Sequence, residues 1–323
     1  MRLSLLDRSR TRAGRPEAEG LTGSIERAVE AERLGYERFW VAEHHAVPGI
    51  ASGSPPVLIA AIGARTGRIR LGSGGVMLPN HQPLVVAEQF LMLEALHPGR
   101  IDLGIGRSLG FTAPVREALR HDLDAADTFE ADLVELRDLL DGDAAVTAHP
   151  VTPSSVPISL LATGRGMEIA ARLGLPVVVG GPILFTDAGA EALAVYRRDF
   201  RPSKLAADPY VTISLDVTVA ADDATARELA LPEAWAMARS RQTGEFPPLE
   251  SVDAIRSQAW STQLRQRVET SLAQAVAGSP ATVRARLDEL AARTGADELM
   301  ASTSTYDRDD LLASDGALRD IVG

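Results

Sequence analysis

Short apolar runs alternate with helical patterns along the whole of this 323-residue chain. Eight runs have the length and composition of buried strands, at residues 3–6, 38–42, 69–76, 101–106, 158–162, 177–179, 210–220 and 298–302. Parallel strands need long crossover connections, which helices usually supply, so the alternation favours an α/β fold. Eight strands with eight principal helices predict a TIM (β/α)8 barrel. The first helix is expected at 24–34, with Ser24 as its cap.

One connection is much longer than the others. Residues 231–279 lie between the seventh apolar run and the helical pattern at 281–294, which predicts an insertion between strand 7 and its barrel helix. The insertion contains TGEFPP at 243–248, a helix-breaking stretch that favours a mobile lid at the catalytic end of the barrel. No linker separates two cores, so residues 1–323 are expected to form a single domain.

Composition argues against several classes of function. Lys and Arg total 33 against 44 Asp and Glu, a net charge of −11 that would repel a nucleic-acid backbone. The absence of Cys excludes disulfides, thiolate nucleophiles and Cys metal sites. No apolar run reaches the roughly 18 residues of a transmembrane helix, and the first apolar run is too short for a signal-peptide core. We therefore expect a cytoplasmic protein with no membrane or nucleic-acid partner.

The second strand ends in WVAEHH, which places Glu43, His44 and His45 at the mouth of the barrel. Active sites of TIM barrels lie at this end of the strands, so general acid or base catalysis is the preferred role for these groups. Side chains that only line the rim, and a metal site, are the alternatives. Because successive strand residues point to opposite sides, the three groups are not expected to face one metal ion.

The third strand carries Gly72, Gly74 and Gly75 where a barrel strand usually has bulky residues. Glycine weakens a strand, so this cluster predicts a bulge, an unusual peptide bond or the close approach of a ligand to the backbone. A tight bend of the barrel is the structural alternative.

Strands four and five carry the elements of an anion site. Strand four ends at Gly106 and Arg107, and a guanidinium at the mouth suits a phosphate or carboxylate. Strand five is followed by Thr163, Gly164, Arg165 and Gly166, which lead directly into a helix whose first amides favour an anion. A structural ion pair and an ordinary turn are the respective alternatives. The Gly-Ile-Gly of strand four lacks the spacing of a dinucleotide fingerprint.

Four blocks together resemble the bacterial luciferase-like flavin-dependent monooxygenases. They are WVAEHH, LGSGGVMLP with the following NHQPLVVAEQF, HPGRIDLGIGR, and GSPATVRARLDELAARTGADELM. The resemblance covers nearly the whole chain and is closest to stand-alone members found in antibiotic biosynthesis.

The resemblance implies a TIM barrel that binds FMN. It implies that His44 acts in proton transfer near the flavin, and that a non-proline cis peptide at Gly74 and Gly75 lies behind the isoalloxazine ring. Arg107 and the turn at 163–166 would bind the phosphate. Two departures matter. Luciferases have hydroxyls in that turn where this chain has Gly164, Arg165 and Gly166, so phosphate binding would depend on amides and Arg165. Gly106 replaces a Cys, which opens space beside the flavin.

The resemblance also implies a reaction and partners. An FMN-dependent monooxygenase of this kind takes reduced FMN from a separate flavin reductase and uses O2 to oxygenate a small organic substrate. A homodimer is expected through the apolar helices at 55–65 and 83–96. Deazaflavin-dependent hydride transfer and a non-catalytic flavin-binding protein are the alternatives, and retention of the Glu-His-His segment argues against the second.

Overall fold

The computed structural model describes residues 1–109, 112–120 and 128–323, and within them the predicted barrel is confirmed. Eight strands pair in parallel in the closed order β1-β2-β3-β4-β5-β6-β7-β10. The strands of the described residues are β1 (Arg2–Asp7), β2 (Arg38–Val41), β3 (Arg70–Met77), β4 (Ile101–Gly106), β5 (Ile158–Leu161), β6 (Val177–Gly180), β7 (Val211–Leu215), β8 (Val217–Val219), β9 (Val276–Gly278) and β10 (Glu298–Ala301).

Helices surround the barrel. Their bounds are α1 (Ala18–Leu34), α2 (Pro55–Gly63), α3 (Pro83–Leu96), α4 (Ala113–Ala118), α5 (Phe129–Asp141), α6 (Arg165–Leu173), α7 (Asp187–Asp199), α8 (Asp223–Thr243), α9 (Val252–Arg256), α10 (Thr262–Ala273), α11 (Pro280–Thr294) and α12 (Arg308–Val322). Ser24 does not cap the first helix, because α1 begins six residues earlier at Ala18. Its buried hydroxyl instead donates to Asp7 Oδ1 at 2.6 Å. The sequence pattern also predicts an amphipathic helix at 124–140; its first residues lie outside the described ranges, and α5 covers the rest at Phe129–Asp141.

The insertion lies where it was predicted, before the barrel helix α11, but its predicted start at residue 231 is wrong. The strand expected at 210–220 breaks at Asp216 into β7 and β8, and β8 pairs with β9 in a separate two-stranded sheet. Asp216 accepts hydrogen bonds from Arg8 and Ser302, and these contacts hold the chain at the break. The insertion therefore runs from β8 to β9, with Leu231 inside α8.

The helices of the insertion share a hydrophobic cluster of their own. Trp235 of α8 is buried against Leu264 and Val268 of α10, and its ring lies 5.0 Å from that of Trp260. These contacts give the insertion a small hydrophobic core of its own. The movement of the insertion as a lid stays a prediction.

The N-terminal end of the barrel is filled by charged side chains. Arg38 lies 2.9 Å from both Asp102 and Glu298, and Arg70 lies 2.5 Å from Asp102. These ion pairs cross the end of the barrel that is remote from the strand mouths, and their residues also line a cavity of about 390 Å³ there. No helix within the described ranges has both the length and the apolar composition that crossing a bilayer requires.

The sequence at 55–66 is apolar nearly all round, which predicts a helix covered on both sides, and within one chain α2 is covered on one side only. Its Leu58, Ile59 and Ile62 are buried, but Val57 is 70% exposed. The neighbouring helix α3 exposes Met92 in the same way, to 55%. One chain therefore leaves an apolar surface on these two helices.

Candidate active site

The mouth of the barrel collects the polar side chains that follow the strands. Strand β2 ends at Val41, and Glu43, His44 and His45 come directly after it. The turn after β3 adds His81, which the prediction from sequence missed. Applying the rule for strand ends to the third strand would have found it, since His81 comes four residues after the strand ends at Met77.

Glu43 is the centre of a hydrogen-bonded cluster. Its side chain is 1% exposed and its Oε1 lies 2.6 Å from His45 Nε2 and 2.7 Å from His81 Nε2. The Met77 amide donates to the other carboxylate oxygen at 3.1 Å. Burial raises the pKa of Glu43, but the hydrogen bonds from His45 and His81 outweigh it and hold the pKa at about 2. Glu43 is therefore an anion that orients two imidazoles.

The same three residues could also hold a metal ion. One ligand atom from each of Glu43, His45 and His81 lies within 4.8 Å of the other two. However, the two imidazoles approach one carboxylate oxygen at ordinary hydrogen-bond lengths. Metal-binding histidines usually donate their second ring nitrogen to an acceptor, and in the described part of the chain no residue accepts from Nδ1 of His45 or His81. We therefore describe the group as a hydrogen-bonded cluster.

His44 points away from this cluster and lines a cavity of about 490 Å³. The barrel side of the cavity is formed by Leu6, Ala42 and Gly74, and the insertion covers it with Met237 and Phe246. Burial lowers the pKa of His44 to about 4, and the positive charges of Arg8 and Arg10 contribute to the shift. His44 is thus neutral at pH 7, and the structure separates it from Glu43 and His45.

Two arginines after β1 link the barrel to the insertion, and the sequence analysis missed them. Arg8 lies 2.5 Å from Glu233 and 2.6 Å from Asp216, and Arg10 lies 2.9 Å from Glu233. Arg10 also covers the Phe246 ring at 4.6 Å. These buried ion pairs hold α8 over the mouth. The basic run DRSRTR after the first strand is a signal at the right place, but it does not identify the partners.

The glycine cluster of β3 has the unusual backbone that its sequence predicts. The peptide bond between Gly74 and Gly75 is cis, and the register against β4 shifts between Ser73 and Val76. A Cβ on Gly74 would lie 2.3 Å from Leu6 Cδ1, and one on Gly75 would lie 2.9 Å from the Gly104 carbonyl oxygen. A side chain at Gly75 would collide with backbone, whereas a side chain at Gly74 would have to displace the end of the Leu6 side chain. A flavin contact here stays a prediction.

The predicted anion site lies on the neighbouring strands. Ile105 of β4 pairs with Leu160 of β5, so Arg107 and the turn at 163–166 leave adjacent strands at the same end. Gly164 precedes α6 with a φ of 52°, a left-handed conformation that favours glycine. The amides of Gly166 and Met167 donate to carbonyls within the turn. An anion would therefore depend on the side chains of Arg107, Arg165 and Thr163 more than on amides.

Comparison with known proteins identifies the family. The family model for luciferase-like monooxygenases matches residues 1–298. The chain is 36% identical over 312 residues to a luciferase-like monooxygenase of Escherichia coli K12, covering 94% of this chain and 92% of the relative. It is also 36% identical to apo-MsnO8, whose crystal structure superposes with a TM-score of 0.89 over 99% of this chain and 98% of the other.

More distant solved structures share the fold. The oxygenating constituent of 3,6-diketocamphane monooxygenase from Pseudomonas putida, solved in complex with FMN, is 17% identical with a TM-score of 0.76, covering 99% of this chain and 96% of that one. An F420-dependent secondary alcohol dehydrogenase is 13% identical with a TM-score of 0.72, covering 100% and 99%. At such identities the likeness shows the fold alone. The family model and the relatives at 36% identity show the family as well. The chain belongs to the luciferase-like monooxygenase family.

Proposed function

We propose that this family member is an FMN-dependent monooxygenase that oxygenates a small organic substrate. One observation carries the proposal: His44 and the cis-peptide residue Gly74 line the same cavity at the barrel mouth. In this arrangement an imidazole and a stretch of backbone without side chains face the same cavity. The choice of FMN over F420 follows the family's monooxygenase activity, since the FMN complex of the same fold is a monooxygenase and the F420-dependent enzyme is a dehydrogenase.

The residues at the mouth fit a flavin. A Cβ on Gly106 would meet only the Val76 carbonyl oxygen, at 3.8 Å, so the backbone at this position is open to a ligand. Arg107, Arg165 and the Thr163 hydroxyl would hold the phosphate from β4 and β5. The isoalloxazine would then extend towards Gly74 and Gly75, and the cavity beside His44 would remain for the substrate.

Reduced FMN, when bound, supplies two electrons that activate O2, so that one oxygen atom enters the substrate and the other leaves as water. The protein's own residues supply the rest. His44 is neutral at pH 7, so its ring offers one nitrogen that can accept a proton and one N–H that can donate, and we assign it the proton transfer. Leu6, Met237 and Phe246 exclude water from the cavity. Glu43 fixes His45 and His81 beside the strand that carries His44.

The reduced flavin would come from a separate reductase, because the chain has no dinucleotide fingerprint with the required spacing. The test supplies the protein with chemically reduced FMN and, separately, with reduced deazaflavin. We expect O2 to be consumed and an oxygenated product to appear with FMN. Hydride transfer from deazaflavin to a carbonyl substrate, without O2 consumption, would replace the proposal with the alternative that the F420-dependent structure represents.

Replacing Arg107 by Ala tests the phosphate site. We expect FMN affinity to fall by about 1.5–3 kcal/mol, or roughly 10- to 150-fold, because a charge-assisted contact is lost. Flavin fluorescence titration measures the change. Arg68, exposed at the opposite end of the barrel, provides the matched control Arg68→Ala, which should bind FMN like the unmodified protein. Equal affinities for all three proteins would remove Arg107 from the site.

We further propose a homodimer through the exposed apolar surface of α2 and α3. Introducing a charge there should separate the subunits, because an unpaired carboxylate would be buried in the interface. We expect a dimer mass by light scattering at micromolar concentration and a monomer mass for Met92→Asp. Ala285 is exposed on α11, away from α2 and α3, so Ala285→Asp should remain a dimer. A monomeric unmodified protein contradicts the proposal.

A further inference from the structure

The cavity beside His44 has mostly apolar walls and few polar side chains. Its polar members are Arg8, His44, Ser240 and Arg241, and the last two lie on the C-terminal turn of α8. Most binding pockets combine apolar walls with a small number of polar groups that set orientation and specificity. The polar groups of this cavity can therefore indicate what kind of molecule it accepts.

Three of the four polar groups are already committed or uncharged. Arg8 is balanced by ion pairs with Asp216 and Glu233. The Ser240 hydroxyl donates to the Met237 carbonyl oxygen at 2.9 Å. His44, with a pKa of about 4, carries no charge at pH 7. None of these groups offers an uncompensated positive charge to a ligand.

Arg241 is different. Its side chain is exposed at the cavity, and within residues 1–109, 112–120 and 128–323 no carboxylate forms an ion pair with it. The protein as a whole carries a net charge of −11, so the positive charge of Arg241 at the cavity is opposite in sign to the overall charge. A guanidinium binds carboxylates through two parallel hydrogen bonds and keeps its charge at every relevant pH.

The helix also places the apolar and the cationic contacts together. Met237 and Arg241 are four residues apart on α8, so their side chains lie next to each other on one face of the helix. A ligand whose apolar body contacts Met237 would thus present its end to Arg241. Arg239 does not line the cavity, and its guanidinium lies 5.9 Å from the ring of Trp235.

We propose that Arg241 is the specificity-determining residue of this cavity, and that the substrate is a largely apolar molecule ending in a carboxylate or a similar anionic group. The inference rests on the proposed function for calling the ligand a substrate. The binding site itself does not depend on flavin chemistry. Arg241 binds and orients the anionic end, while the apolar part extends towards His44 and Gly74.

The test uses two fluorescent probes that differ in one group. 8-Anilinonaphthalene-1-sulfonate carries a sulfonate, and N-phenyl-1-naphthylamine is the same aromatic framework without it. In the cofactor-free protein, we expect Arg241→Gln to weaken binding of the anionic probe about 10-fold, because a charge-assisted contact is lost. Binding of the neutral probe should change less than about twofold. The matched control Arg239→Gln should bind both probes like the unmodified protein.

Two results overturn the inference. One is that Arg241→Gln weakens both probes equally or neither of them, which would leave Arg241 without a role in anion recognition. The other is that FMN affinity falls in Arg241→Gln as much as the affinity for the anionic probe, which would place Arg241 in the flavin site. If the probes behave as expected but reduced FMN supports no O2 consumption, the proposed function fails and the anion site stands.

Discussion

Replacing His44 by Ala is expected to lower product formation by about 100-fold or more while FMN binding changes little. His44 lines the cavity next to Gly74, whereas the proposed phosphate contacts lie on β4 and β5. Binding and chemistry should therefore separate. The measurement supplies the variant with reduced FMN and O2 and follows flavin reoxidation together with product. Uncoupled reoxidation with little product is the expected outcome.

His97 provides the control for this experiment, since it lies at the N-terminal end of β4, away from the mouth. His97→Ala should oxygenate substrate like the unmodified protein. If His44→Ala gives the same yield of product per flavin as the unmodified protein, His44 only lines the rim of the barrel and has no role in the chemistry. If FMN binding itself is lost, the role of His44 is structural, and proton transfer has to be reassigned to His45 or Glu43.

Replacing Glu233 by Gln is expected to lower the free energy of unfolding by about 3–5 kcal/mol. Glu233 lies 2.5 Å from Arg8 and 2.9 Å from Arg10, and its side chain is only 7% exposed. Gln leaves two buried guanidinium groups to share one remaining carboxylate, Asp216. Denaturation by urea, followed by circular dichroism, measures the loss. The variant should also loosen α8 from the barrel mouth, since these ion pairs join the two.

An exposed ion pair between α8 and α9 gives a matched comparison. Glu228 bonds to Arg256, with both side chains more than half exposed, and Glu228→Gln should cost less than about 1 kcal/mol. Equal losses for the two variants would contradict the assignment of Glu233 as the anchor of α8.

The stabilisation that Glu233 provides should also depend on pH. Burial raises the pKa of Glu233, but the positive charges of Arg10 and Arg8 lower it by a larger amount. The pKa of Glu233 is therefore below the usual value for a glutamate. A carboxylate of this kind stabilises the fold above its unfolded pKa of about 4.3 and loses that contribution as the pH falls through the lower folded value. The difference between the unmodified protein and Glu233→Gln should therefore be largest near pH 7 and shrink in acid.

The barrel and the position of its mouth follow from local patterns in the sequence. Buried parallel strands appear in the sequence as short apolar runs, and a helical pattern long enough for a crossover connection separates each run from the next. Eight such strand–helix units predict the closed barrel. Gly74 and Gly75 are equally informative, because glycines in a barrel strand predict a bulge or an unusual peptide bond, and the backbone there has a cis peptide and a register shift. Alternation along the chain also predicts that Glu43 and His44 face different sides.

Only the tertiary structure decided which groups meet. Glu43 pairs with His81, 38 residues away, and Arg8 pairs with Glu233, 225 residues away. The break between β7 and β8 falls at Asp216, whose carboxylate accepts a hydrogen bond from Arg8. The sequence pattern predicted one continuous strand there, because this partner is distant along the chain. Such pairings depend on strand register and on how the insertion packs over the mouth. They are properties of the closed barrel, and a pattern within a few residues does not contain them.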